Sequence, residues 1–221
     1  MLATGLAVTT LGGCDHALAR KLKQYCFRLK MGLIIDGEAR TIESVRRSES
    51  WSHYSWVPAA NRSFSRLIGS ATPVDIGART LFLTMAGYQQ YNGSRMSHYG
   101  DGPRAPTGTW TPYSVYGDRG VEDAPDWSGG DKSFVLEVEP HELPVLATFT
   151  DASDPRSIVL VRPEALATFF PGVRFGRSTV EWTRSAVTRT DIRRRLPWAY
   201  DNKGKPEIYP YVEAGRYFFG G

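Results

Sequence analysis

Three sets of residues have the types and spacing that chemistry could use. The first is Ser97, His98 and Asp101 in the segment SHYGDG. A carboxylate can orient an imidazole that acts as a general base, and a nearby hydroxyl could serve as nucleophile. Residues adjacent in sequence rarely aim at one another, however, and this order matches no known triad. An isolated loop histidine is the favoured reading. His16, His53 and His141 are equally solitary, whereas zinc needs clustered ligands. The second set is Asp118, Glu122, Asp123, Asp126 and Asp131. Carboxylates suit calcium, but this spacing lacks the alternation and the glycine of an EF-hand loop. A solvated acidic loop is expected, so neither a metal nor any other cofactor is predicted. The third set is aromatic: Trp110, Tyr113, Tyr116 and Trp127. Rigid rings anchor interfaces at low entropic cost, so these four are the predicted binding residues, for a protein or a glycan. The competing reading folds them under the loop as core. The sequence holds no P-loop, dinucleotide fingerprint, nucleophile elbow or HExxH, and no catalytic residue is assigned.

A fourth position concerns location. LGGC, residues 11–14, closes the uncharged opening MLATGLAVTTLGG. Leu6–Leu11 supplies an apolar core of signal type, and Gly12-Gly13 the small residues before a cut. Leucine, two small residues and cysteine resemble the bacterial lipobox, whose cysteine receives a diacylglycerol and becomes the mature N-terminus. The basic n-region of such signals is missing. Residues 1–13 are therefore read as signal-like, Cys14 as the lipidation residue, and 14–24 as a basic tether carrying Arg20, Lys21 and Lys23. Two acyl chains anchor stably where one does not. The expected location is the periplasm, lipid-anchored to the membrane of a bacterial cell envelope. A cytosolic chain with a frayed start is the alternative. Cys26, left alone, is expected to sit in a strand as a small apolar residue without a disulfide.

The 221 residues are 41% hydrophobic and 23% charged, a globular composition. That length allows one domain with its own core. The net charge of +4 is small and interspersed, which argues against a nucleic-acid partner. Arg193-Arg194-Arg195 reads as a solvated helix face. No apolar run reaches the roughly 18 residues of a spanning helix.

The elements that must position these residues read as mostly β. Phe27, Leu29, Met31, Leu33 and Ile35 alternate, Asp36-Gly37 is a two-residue hairpin turn, and Thr41–Arg47 returns. SATPVDIGARTLFLTMAG gives two short strands with a bend near Ile76-Gly77. VLATFTD and SIVLVRP form another pair, joined through Asp151–Pro155 by side chains that bond nearby backbone. Pro163 opens a short helix through Phe170, which Pro171-Gly172 stops. RSTVEWTRSAVT is a strand with Val180 and Trp182 on one face. Thr188 with Asp191 reads as a capping box opening a second short helix that ends by Pro197. Residues 87–132, rich in Gly, Pro, Tyr and Trp, show no periodicity and read as a long loop. The prediction is a mainly β (α+β) fold of antiparallel sheets, sandwich- or barrel-like, with two short helices. Residues 25–221 form a single domain.

The order of these features resembles a known group. A lipobox-like cysteine precedes a strand–turn–strand opening and the segment Val74-Asp75-Ile76-Gly77 leading into Thr80-Leu81-Phe82. Then come ELPVLATFTDASDPRSIVLVRPEALATFFPGVRF and STVEWTRSAVTRTDIRRRLPW. The chain is similar to small lipoprotein-like proteins of alphaproteobacteria, over residues 14 to about 200 and most specifically over Leu143–Trp198. No activity is assigned to that group, so the resemblance implies export and a tether but carries over no catalytic residue. The expected function is a non-enzymatic envelope lipoprotein that binds another envelope component, with an immunity-type inhibitor as one concrete form. The alternative is a periplasmic hydrolase of envelope polymers using His98 and Asp101.

Overall fold

In a computed structural model of the chain, residues 19–53, 62–92, 95–97, 104–118, 135–200, 207–209 and 212–213 are described. Cys14, His98, Asp101 and Trp127 lie outside them, as do the acidic residues from Glu122 to Asp131. The described residues are mainly β, in antiparallel open sheets that do not close into a barrel.

A long hairpin founds the fold. Strand β1 (Ala19–Ile35) pairs with β2 (Glu38–His53). Asp36 and Gly37 join them, both with positive φ, at 52° and 88°. Two left-handed residues give the turn whose twist matches the flanking strands. That turn fixes the register, so Leu33 meets Arg40, Leu29 meets Ser44 and Phe27 meets Arg46. Along β1 the predicted alternation holds: Phe27, Leu29, Met31, Leu33 and Ile35 are all buried.

Around the hairpin runs the largest sheet, in the order β3 (Arg62–Ile68), β2, β1, β13 (Ser178–Trp182), β9 (Val135–Val138). Strand β12 (Val173–Phe175) pairs with β1 nearer the turn. The second sheet runs β11 (Ile158–Val161), β10 (Leu146–Phe149), β5 (Arg79–Leu83), β4 (Thr72–Ile76). Its inner side shares one core with the first sheet. Leu29, Met31, Val180 and Leu136 meet Val74, Leu81, Leu83, Leu146 and Val161 there. Its outer side carries Phe82, Phe149 and Val145 in a second cluster, covered by Ile192 and Leu196 of a helical segment. The architecture is therefore two stacked sheets with a short helical layer on one of them.

That helical layer is reached by a crossing strap. After β13, the Thr183 amide donates to the Cys26 carbonyl at 3.1 Å, and Arg28 donates to Ser185 Oγ at 2.6 Å. Thr188 then exchanges bonds with Val45: its amide donates to the Val45 carbonyl, and its hydroxyl accepts from the Val45 amide. The strap so completes the edge of β2 beyond the end of β3. The predicted capping box is corrected by this contact. Thr188 serves the sheet, Asp191 makes no side-chain cap bond, and the helix starts only at Ile192.

The predicted loop over 87–132 is corrected as well. Strands β6 (Ala86–Asn92), β7 (Arg95–Ser97) and β8 (Arg104–Thr109) form a third sheet, followed by helix α1 (Pro112–Asp118). Gly87 pairs with Gly108 in this sheet, so its strands lack the side-chain alternation that pattern reading requires. With α2 (Leu166–Phe169) and α3 (Ile192–Arg195), α1 makes three short α-helices among the described residues. The small ladder of β14 (Glu207–Tyr209) and β15 (Val212–Glu213) ends the described chain.

Turn chemistry follows the sequence closely. Asp151 Oδ1 accepts from the Ser153 amide at 2.9 Å, and Asp154 Oδ1 from the Arg156 amide at 2.8 Å. Pro163 begins a 3-10 turn that runs into α2 and stops at Phe170. Cys26 is a free thiol in β1, half-buried on the side away from the core. Burial pushes its thiol up, while the nearby Arg47 charge acts in the opposite sense.

Candidate functional site

The register set by Asp36-Gly37 has a consequence for the interior. Opposite Tyr25, Phe27 and Leu29 on β1 stand Ser48, Arg46 and Ser44 on β2. Successive side chains of a strand alternate between faces, so these three share the core side with the apolar row of β1. All three are buried, and Arg46 is 0% exposed.

Helix α1 and the residues just before it close over this polar row. Trp110 crosses it fully buried, with its indole N–H donating to the Glu142 carbonyl at 2.7 Å. Its ring centroid lies 5.8 Å from that of Phe27, and the Arg46 guanidinium carbon lies 6.0 Å from the indole centroid. Arg46 Nη2 donates to the Thr84 carbonyl at 2.7 Å, where β5 ends, and Nε to Ser44 Oγ at 3.2 Å. Nη1 has no hydrogen-bond partner. Burial alone pushes this guanidinium down, from 12.5 to about 9. It stays charged at neutral pH, steadied by backbone carbonyls and an aromatic face rather than by a carboxylate.

Tyr25 continues the row. Its hydroxyl bonds with Ser48 and Thr111, and burial raises it well above the ordinary phenol range. Tyr113 of α1 meets Tyr25 edge-on, with centroids 5.8 Å apart, and stays half-buried. Beside them the Glu49 carboxylate, 4% exposed, is gripped by Arg47 and Arg66 at 3.0 Å each.

The four predicted binding residues therefore separate. Trp110 is corrected from a binding residue to a core residue: its ring is enclosed and its one polar atom is satisfied inside. Tyr113 keeps part of its ring at the surface. Tyr116 lies in α1 with its side chain outside the described set, and Trp127 is outside it altogether. Lone-residue reading missed Arg46, Ser44 and Ser48. Counting back from the Asp36-Gly37 turn would have found them, since that turn dictates which β2 residues oppose the apolar row.

Chemically, the row can hold but not turn over. Arg46 offers one unengaged donor, Tyr25 is kept protonated, and no nucleophile is paired with a base here. Among the described residues no group of three His, Cys, Asp or Glu side chains could hold a metal ion. A separate shallow cleft of about 410 Å³ lies by the hairpin turn. It brings Asp36 toward Arg79, whose Nη1 already donates to the Phe169 carbonyl at 3.2 Å. No helix among the described residues is long and apolar enough to cross a membrane. Compared with protein-family models, curated proteins and solved structures, the chain finds no match.

Proposed function

We propose that this chain is a non-enzymatic lipoprotein of the bacterial envelope, anchored through Cys14, that binds another envelope component. An immunity-type inhibitor, which blocks a toxin arriving in the periplasm, is one concrete form. Tyr113 is the observation that carries the reading. Its ring is braced edge-on by Tyr25, whose own hydroxyl is fixed by Ser48 and Thr111, yet it is not enclosed. A ring held rigid before the partner arrives loses little entropy on binding. Trp110 supports it from beneath as scaffold, and Tyr116 and Trp127 follow Tyr113 in sequence as further contacts.

The test is capture from solubilised membranes, with the tethered full chain as bait and Tyr113→Ala beside it. The expected result is a stoichiometric protein or glycan partner retained by the wild type and lost by a Tyr113→Ala chain that melts nearly normally. Turnover of peptidoglycan fragments by the wild type, abolished in His98→Ala, would contradict the proposal and favour a hydrolase.

A further inference from the structure

The charge of this protein is not spread evenly along the founding hairpin. Residues 14–24 and 48–67 build the open end of β1 and β2, the neighbouring β3 and the connections beside them. They contain five Lys or Arg and two acidic residues, Asp15 and Glu49. This end therefore holds three of the chain's four net positive charges. Glu49 is itself buried between Arg47 and Arg66, so its charge is matched in place.

Register adds aromatic residues to the bases. Lys21, Trp51 and Phe64 form one cross-strand row, and Ala19, His53 and Arg62 form the next. By alternation Trp51 and Phe64 belong to the side of the sheet that holds Glu49 and Arg66, away from the core. A register shift between Lys21 and Lys23 marks a bulge in β1 at this level. Bulges and lysines keep a strand end from pairing with other strands, which by itself would be a solubility device.

The position of this end relative to Cys14 points further. Strand β1 begins at Ala19, five residues beyond Cys14, a stretch that reaches at most about 18 Å when fully extended. If Cys14 carries lipid, no other part of the described sheet starts so close to the bilayer. We propose that the open end of β1, β2 and β3 lies against the membrane and takes the anionic headgroups of phospholipids. The proposal rests on the lipoprotein reading of Cys14, and it adds an orientation: the hairpin turn at Asp36-Gly37 faces away from the bilayer. Each Lys or Arg brought near an anionic surface strengthens attachment roughly fivefold. Tryptophan suits the headgroup level because one side of its ring is apolar and its N–H is polar. Acyl chains and a basic patch together form the two-signal anchor that holds stably.

Sedimentation with phospholipid vesicles tests this on the full chain carrying Cys14→Ser, so that acylation plays no part. Two vesicle types are compared, phosphatidylcholine alone and phosphatidylcholine with added phosphatidylglycerol. The expected result is tighter binding to the anionic vesicles, weakened by salt as screening shortens the reach of the charges. Arg20→Gln/Lys21→Gln/Lys23→Gln should lose at least about tenfold of that anionic increment, given the fivefold contribution of each base. Binding to neutral vesicles should stay unchanged. Arg193→Gln/Arg194→Gln, which removes two charges from α3, should change little. Arg62→Gln alone, checked by its melting curve, serves if the triple variant does not fold, and should lose roughly fivefold. Equal binding to both vesicle types would overturn the proposal, as would an equal loss from the α3 variant. A Cys14 that is not acylated in cells would instead sink the lipoprotein reading, and that result is read in a different experiment.

Discussion

The closed and open ends of the founding hairpin follow opposite rules. At the closed end every position is constrained. Two left-handed residues turn the chain, the Asp36 amide donates to the Gly172 carbonyl at 3.1 Å, and Gly32 lies under the backbone of Arg177. The apolar row from Leu29 to Ile35 packs into the shared core. At the open end the register slips at a bulge, and basic and aromatic residues replace the apolar row. The difference teaches where stability and attachment reside. Substitutions near the turn and in the interior should change melting and leave vesicle binding intact. Substitutions at the open end should do the reverse.

The largest stability effect is expected in the interior between the two ends. Trp110→Ala removes a fully buried indole and should destabilise by about 3–5 kcal/mol, measured by denaturant unfolding. A loss below about 1 kcal/mol would return Trp110 to the surface. Gly32→Ala comes next. A methyl group there would meet the Arg177 carbonyl at 2.3 Å, and such overpacking should cost about 1–3 kcal/mol. Unchanged melting would mean that the turn before β13 moves freely.

Arg46 gives a sharper, smaller effect. A buried charge with no carboxylate partner gains little from its charge, and an apolar replacement of similar length is often tolerated. Arg46→Met should therefore stay within about 1 kcal/mol of the wild type, while Arg46→Ala should lose more because it also opens a cavity. A Met variant that fails to fold would show that the bonds to Thr84 and Ser44 outweigh the desolvation. The smallest effect belongs to the pair that fastens α3 to β4. Arg195 Nη2 lies 2.8 Å from Asp75 Oδ2, and this bond, with a second from Thr80, holds the Asp75 carboxyl below its ordinary 3.8. A depressed carboxyl stabilises the fold above its unfolded value, and that contribution is lost as pH falls through the folded value. Asp75→Asn should cost about 0.2–1 kcal/mol at pH 7, as for exposed pairs. The two proteins should converge in melting as the pH falls below the ordinary carboxyl range. A constant gap down to strong acid would contradict the assignment.

The closed end was legible because its signals are local. Asp-Gly between two alternating runs specifies a turn, a register and a buried face within a few residues. The same holds for the Asp151–Pro155 turn and for the proline that opens the helix before Phe170. Trp110 was not legible as core, because its burial depends on Phe27 and on the Glu142 carbonyl, both far away in sequence. Thr188 misled because the same hydroxyl that could cap a helix can equally complete the edge of a strand, and Val45, distant in the chain, decides which. The third sheet was hidden because glycines stand opposite each other where alternation should show. Arg46 was legible only by combining a local turn with its register. The candidate binding residues, chosen by ring chemistry alone, could not be divided into scaffold and surface before the core was known.

The central claim is that this protein works at a membrane to which Cys14 ties it. The most direct measurement is the mass of the N-terminal peptide of the protein extracted from cells that make it, alongside detergent-phase partitioning. The account predicts that the peptide begins at Cys14 with a thioether-linked diacylglycerol, and that Cys14→Ser moves the protein into the aqueous phase. A peptide that retains Gly12-Gly13 ahead of an unmodified Cys14, with identical partitioning of the two proteins, would contradict it.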